Sequence, residues 1–248
     1  MTQPNNPLNF ITKFSRRLIG FKDRLIPLKL KFRNYSYSQA GEDRIIDFVF
    51  NQIGIASPTY LDVGAHHPYY LSNTALFYEK GCRGLNIEPD PTLFSQFPIC
   101  RKNDINVNCG IGISDGQLEL NIMNVPALNT FSFDEARRLE NEDGFKIIAR
   151  EKIAVLTLDT LLKKYNNDVF PDLFSLDVEG LDEDIIKSID FERRKPIVIC
   201  LETISYSGTG KGIKNHEIIH YLEEKGYLPY ADTNINTIFV LKERWVRG

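Results

Sequence analysis

The chain has no apolar run approaching the ~18 residues of a membrane span, and no uninterrupted apolar segment follows its basic N-terminus as in a secretory signal. Cysteine is scarce. Cys82, Cys100, Cys109 and Cys200 show no C-x-x-C spacing, and Cys109 and Cys200 sit in apolar strand-like runs. Buried, reduced thiols in a cytosolic protein are expected, in place of disulfides or zinc ligands. Glycine is missing where a dinucleotide would need it: the turn Gly64-Ala65-His66-His67-Pro68-Tyr69 keeps only the first glycine of G-x-G-x-x-G. A pyrophosphate cradle, as for an NAD-like ligand, is therefore disfavoured.

What remains is ordinary for a soluble α/β protein, with 42% hydrophobic and 25% charged residues in 248. The net charge of −3 hides an asymmetry, because residues 1–34 carry +7 and leave −10 for the rest. We read 1–34 as a basic arm and 35–248 as one domain. In the arm Phe10, Ile11, Phe14, Leu18, Ile19 and Phe21 recur at roughly helical spacing. That suits an anionic membrane or glycolipid surface, or equally a helix packed on the domain or on a partner subunit. The acidic remainder does not suggest nucleic acid as a partner. The expected location is cytoplasmic, with the inner face of the membrane as the place where the arm would act.

The chain is organised around two short apolar runs that end on acids. Tyr60-Leu61-Asp62-Val63-Gly64-Ala65 reads as a buried parallel strand feeding a turn, and Gly84-Leu85-Asn86-Ile87-Glu88 reads as the next strand. One βα unit separates Asp62 from Glu88, so Glu88 is placed to accept hydrogen bonds from both ribose hydroxyls of a nucleoside. S-adenosylmethionine has no phosphate and asks only for a tight turn and a ribose acid. It is the expected cofactor.

Helices are expected over 45–53, 72–80, 158–165, 182–189 and 216–225, and further strands over 105–109, 173–178, 197–202, 227–230 and 237–241. The last two are separated by about six polar residues, too few for a parallel crossover, and must form an antiparallel hairpin. Between Ile113 and Thr157 the pattern changes. Leu118, Leu120 and Ile122, and later Ala154, Leu156 and Leu158, alternate with polar residues around a charged stretch at 134–152. We expect an insertion carrying antiparallel strands and a mobile, charged middle.

Ser38-Gln39-Ala40-Gly41-Glu42-Asp43, Leu61-Asp62-Val63-Gly64-Ala65, Asn73-Thr74, Ile87-Glu88-Pro89, Ser175-Leu176-Asp177-Val178-Glu179-Gly180 and Glu202, in this order, resemble the FkbM family of S-adenosylmethionine-dependent methyltransferases. The resemblance covers roughly 35–242, and Asp177-x-Glu179-Gly180 is its most specific element. It implies a class I, Rossmann-like fold with a mostly parallel seven-stranded sheet in the order 3-2-1-4-5-7-6. It also implies O-methylation of sugars or natural-product hydroxyls. His66-His67-Pro68 departs from the Asn/His-x-Gly of the family.

Cofactor contacts are expected from Gln39, Asp43, Asp62, Gly64, Ala65, Asn73, Glu88 and Pro89. Asp177 and Glu179 alternate at the end of the fourth sheet strand and Glu202 ends the fifth, so three acids meet where open α/β sheets bind ligands. They would repel one another unless a cation or substrate hydroxyls intervene. Asp177, Glu179, Glu202 and His67 are the catalytic candidates. Asp177 and Glu202 are the candidate ligands of a divalent cation, magnesium or manganese. Rival readings are a methyltransferase of a non-sugar molecule, a catalytically silent glycan-binding module, and a zinc hydrolase built on His216-Glu217-Ile218-Ile219-His220, which matches H-E-x-x-H. Gly208-Thr209-Gly210-Lys211-Gly212 lacks the Ser/Thr of a P-loop and reads as a substrate loop.

Overall fold

The computed structural model describes residues 33–204 and 212–245. The chain divides into two units, residues 1–35 and 36–248. The amphipathic reading of the arm falls on residues outside those described, and so does the loop read at 208–212 apart from Gly212.

Helix α1 (Glu42–Gln52) precedes β1 (Tyr60–Val63), and α2 (Ala75–Glu79) leads to β2 (Gly84–Ile87). Two one-turn helices, α3 (Pro91–Phe94) and α4 (Phe97–Cys100), come before β3 (Ile105–Val107). The insertion holds β4 (Gly110–Ile111), β5 (Gly116–Met123), α5 (Phe133–Glu142) and β6 (Ile147–Leu156). Then follow α6 (Leu158–Tyr165), β7 (Leu173–Leu176), α7 (Asp182–Lys187), β8 (Val198–Glu202), α8 (His216–Glu224), β9 (Tyr227–Asp232) and β10 (Asn236–Leu241).

Seven strands form one sheet in the order β3-β2-β1-β7-β8-β10-β9. Without the insertion this is the expected 3-2-1-4-5-7-6 order, with β10 antiparallel to both of its neighbours. Both faces of the sheet are covered, which is why its strands read as nearly continuous apolar runs. Strand periodicity sorts them. Leu61, Val63, Phe174, Leu176 and Ile199 face the core under α6, α7 and α8. Tyr60, Leu173, Val198 and Cys200 face α1 and α2. Asp62 and Ser175 share that second face by parity.

The insertion departs from expectation in its middle. Its small sheet has the order β4-β6-β5, with β5 antiparallel and β4 parallel to β6. The charged stretch is regular structure: Ser132 caps α5 by accepting from the Glu135 amide, and i,i+3 ion pairs such as Arg138 with Glu135 support the helix. Residues 147–152 form the exposed half of β6. The third strand stops at Val107, short of Cys109, because Asn108 turns its amide to the carbonyls of Glu88 and Pro89.

One buried polar cluster beneath the first three strands has no counterpart in the sequence reading. The Arg101 guanidinium, fully buried, donates to Asp104 at 2.9 Å, to the Tyr60 hydroxyl at 2.9 Å and to the Pro68 carbonyl at 3.0 Å. The Tyr60 hydroxyl and the Gly84 amide donate to Asp104 in turn. A residue in the turn after β1 is thereby tied to the edge of the sheet.

Candidate functional site

A cavity of about 340 Å³ opens at the carboxyl ends of β1, β2, β7 and β8, between the sheet and a wall of insertion residues that includes Leu120, Leu128 and Phe131. Strand order reverses between β1 and β7, so this is the crevice where open α/β sheets hold ligands. Its volume suits a small molecule.

Glu88, the acid after β2, is buried on the cavity wall. Its two oxygens each accept one backbone N–H, from His66 at 2.7 Å and from Asp90 at 2.8 Å. Burial pushes its carboxyl up to about 7, against the opposing pull of those two amides. Gly64 turns the chain at the end of β1 with φ +75°, and a Cβ there would lie 1.7 Å from the Asp177 carbonyl oxygen. No larger residue fits without displacing the end of β7.

The acids meet as expected. One carboxylate oxygen from each of Asp177, Glu179 and Glu202 lies within 4.8 Å of the others. For Asp177 and Glu202 the sheet register is the cause: Ser175 pairs with Cys200, so two residues further on the same parallel register brings Asp177 beside Glu202. Glu179 arrives by a different route from the strand alternation expected. The strand ends at Leu176, and Glu179 is in the left-handed region with φ +50°. The Asp182 carboxylate holds this turn by accepting from the Val178 and Gly180 amides. All three carboxyls are pushed above their ordinary range, first by burial and then by nearby acids: Asp182 and Asp62 act on Asp177, while Asp177 and Asp182 act on both glutamates. Asp177 opens onto the cavity and is reached by water there, while protein encloses it elsewhere.

Gln39, Asn73 and Pro89 also line the cavity, and Asn73 is held by donating to Ser175 Oγ at 3.2 Å. Four expected residues are not on its wall. Asp43 turns into its own loop, accepting from Ser36 Oγ and the Tyr37 amide at 2.7 Å each. Asp62 points to the α2 face and accepts from Thr74 Oγ1 at 2.7 Å. Ala65 is buried, its amide bonded to the Ile87 carbonyl. His67 Nδ1 accepts from the Tyr69 and Tyr70 amides, so that nitrogen is committed to its own turn and His67 is no candidate base.

Sequence reasoning missed His66, Leu71 and Asn234. Each lines the cavity and each, like Glu179, has a left-handed backbone, with φ of +52°, +58° and +76°. Such strain gathers at functional sites. Glu42 was also missed as a brace, although it lies within the Ser38–Asp43 stretch that carries the family resemblance. Fully buried, it accepts from Thr233 Oγ1 and Asn236 Nδ2 and so ties the loop that carries Gln39 to the β9–β10 hairpin.

The zinc-hydrolase reading fails on placement. His216 and His220 are exposed while Ile218 and Leu222 are buried, and among the described residues only Asp177, Glu179 and Glu202 come close enough together to hold a metal. All four cysteines are free, three of them buried. Among the described residues no helix is long and apolar enough to cross a membrane.

No curated protein matches the sequence. The family model for the methyltransferase FkbM domain matches residues 62–229, from within β1 into β9, and so spans every strand that builds the cavity except β10. With more than half of its length matched, the chain belongs to the FkbM methyltransferase family.

Proposed function

We propose that this methyltransferase moves the methyl group of S-adenosylmethionine to a hydroxyl of a sugar or glycan. The observation that carries the reading is the pairing, in one cavity, of a buried carboxylate after β2 with a cluster of three acids after β7 and β8. Glu88 fits a ribose: its oxygens keep lone pairs for two hydroxyls, and ionising it for that purpose is favoured by the donors it would gain. When bound, with Glu88 holding its ribose, the cofactor would supply an electrophilic methyl on a positively charged sulfur to the acceptor oxygen. Asp177, its carboxyl raised to about 7, takes the hydroxyl proton and is a better base at neutral pH than a free carboxylate, while Glu202, raised further, holds its own proton and hydrogen-bonds the acceptor. The remaining acid accepts hydrogen bonds from neighbouring sugar hydroxyls.

The same cluster supports a divalent cation, magnesium or manganese, as a further component. Asp177, Glu179 and Glu202 would hold it, and it would make a coordinated hydroxyl more acidic. Incubating the protein with S-adenosylmethionine and a glycan panel should yield a product heavier by about 14 Da, the net gain when a methyl group replaces the hydroxyl hydrogen. Chelator should suppress that product, and added magnesium or manganese should restore it. Cofactor binding without any gain in mass would favour the silent glycan-binding module, and full activity in chelator would remove the cation.

Glu88→Ala should weaken binding of S-adenosylhomocysteine about tenfold or more, the scale of hydrogen bonds to a charged group. Unchanged affinity by calorimetry would take Glu88 off the ribose. The basic arm is proposed to contact membrane or glycolipid at the inner face of the membrane, in keeping with its charge of +7. Removing residues 1–34 should then release the protein from anionic vesicles while the melting temperature and cofactor affinity stay nearly constant. Aggregation of the truncated protein would show the arm to be part of the fold.

A further inference from the structure

We infer that the acceptor is an uncharged sugar whose hydroxyls are read by Asn234, and that the cavity turns away phosphorylated and uronic acid sugars; the inference rests on the sugar-hydroxyl reading above. Four carboxyls line the cavity, those of Glu88, Asp177, Glu179 and Glu202, and among the described residues no lysine or arginine does. The one imidazole on its wall, His66, is pushed towards its neutral form by burial and by His67. A phosphate or carboxylate on the acceptor ring would leave water for a site that offers it no cation. One divalent cation held by the three acids after β7 and β8 would not exceed their combined charge, so it too leaves nothing for a further anion.

Two basic side chains flank the site, and both are committed elsewhere. Arg138, which acts on Glu179, pairs with Glu135 at 2.5 Å and with Asp143 at 3.2 Å. Lys214 Nζ donates to Asp232 at 2.8 Å and to the Asn234 carbonyl at 3.1 Å. Five carboxamides also line the cavity, and three of them are tied down: Asn73 donates to Ser175, Asn129 donates to Asp90 and accepts from the Met123 amide, and Asn236 donates to Glu42. Gln39 and Asn234 remain, both exposed and with no side-chain hydrogen bond among the described residues.

Asn234 is the better placed of the two. Asn236 pairs with Glu202 in the antiparallel register, so the turn that carries Asn234 lies directly beyond the acid cluster. That turn is fixed before any acceptor arrives: the Asn234 amide donates to Asp232 at 2.7 Å, the Thr203 amide donates to the Ile235 carbonyl at 3.0 Å, and buried Glu42 accepts from Thr233 and Asn236. Carboxylates take the hydrogens of sugar hydroxyls but cannot donate to their oxygens, and the Asn234 side-chain amide has two N–H groups for that purpose. A nucleotide-linked sugar carries its diphosphate on the anomeric carbon, next to the ring that must enter. The reaction that supplies this substrate is therefore a glycosyl transfer that has already released the nucleotide.

The test uses the full chain, S-adenosylmethionine, and the methyl glycosides of glucose, galactose and mannose, each beside its uronate, its uronate methyl ester and its 6-phosphate. Uridine diphosphate glucose is the nucleotide-linked probe, and kcat/KM is read from methylated product by mass spectrometry. The neutral sugar methylated best should lose about a hundredfold as its uronate or 6-phosphate, a gap that added salt narrows. Its methyl ester has the bulk without the charge and should lose little. Asn234→Gly keeps the left-handed backbone, φ +76°, and should raise KM for the neutral sugar about tenfold, while melting temperature and the calorimetric affinity for S-adenosylhomocysteine stay unchanged. Turnover of a uronate, a phosphate or uridine diphosphate glucose at the neutral rate overturns the charge assignment, and so does an ester as poor as the uronate. Wild-type KM in Asn234→Gly, or an equal loss of S-adenosylhomocysteine affinity, overturns the role of Asn234. A wild-type protein that binds S-adenosylhomocysteine but methylates none of these sugars removes the sugar reading and this inference together.

Discussion

Asp177→Asn and Glu202→Gln should each lower the turnover rate constant by roughly 10²-fold or more while cofactor affinity changes little. Each substitution keeps the shape of the side chain and removes its ability to take a proton or hold a cation. The two positions lie side by side two residues beyond the Ser175–Cys200 pair, Asp177 open to the cavity and Glu202 half-buried at the end of β8. Full activity in both variants would eliminate the acid cluster as the seat of the chemistry.

The same variants should be more stable than the wild type above neutral pH. Both carboxyls are raised, which means that the folded chain holds their protons more tightly than the unfolded chain does. The stability from a raised group is complete below the unfolded pKa and is lost as pH rises through the folded one. Wild-type stability should therefore decline from about pH 4 through about pH 7 by way of Asp177 and Glu88, and onward towards about pH 11 by way of Glu202. The amide variants should flatten that decline, and scanning calorimetry at both ends of the range measures it. A lower melting temperature in the variants at pH 8 would mean that the acids hold the fold together and are not a strained site maintained for chemistry.

The alternation of buried strands with helices was readable because a parallel sheet covered on both faces leaves uninterrupted apolar runs, and the hairpin at the end because six residues cannot cross over. Asp177 and Glu202 were readable for a related reason: one directly follows β7 and the other is the last residue of β8, side by side at one edge of the sheet. Glu179 shows where such reading stops. Its carboxylate does reach the cluster, but through a left-handed turn held by Asp182, and a two-residue period cannot anticipate a change of backbone region. Asp43 and Asp62 illustrate a second limit. An acid next to a strand or turn accepts hydrogen bonds either from a ligand or from its own loop, and only the tertiary position of the donors decides. In the insertion a signal existed and pointed the other way: Ser132 and Glu135 have the S-x-x-E spacing of a helix start, yet the density of charge around them reads as solvated chain.

The largest effect on stability is expected from Arg101, which no periodicity would single out. Its partners Tyr60, Thr74 and Asn86 lie 41, 27 and 15 residues away, and only Asp104 is local. Arg101→Met would fill most of the same volume but leave the Asp104 carboxylate buried without its cation and the Pro68 carbonyl without its donor. Breaking one side of a buried pair costs about 3–5 kcal/mol, which for a domain of this size is on the order of 10 °C in melting temperature. Because Pro68 lies in the turn that carries His66, the variant should also bind S-adenosylhomocysteine more weakly even where it remains folded. Adding Asp104→Asn removes the stranded charge, so the double variant should lose less than the sum of the two single losses. A loss under about 1 kcal/mol for Arg101→Met in urea unfolding would show that Tyr60, Asn86 and the Gly84 amide satisfy Asp104 without it. Strict additivity in the double variant would show that Arg101 acts through Pro68 and the cavity turn, not through the ion pair.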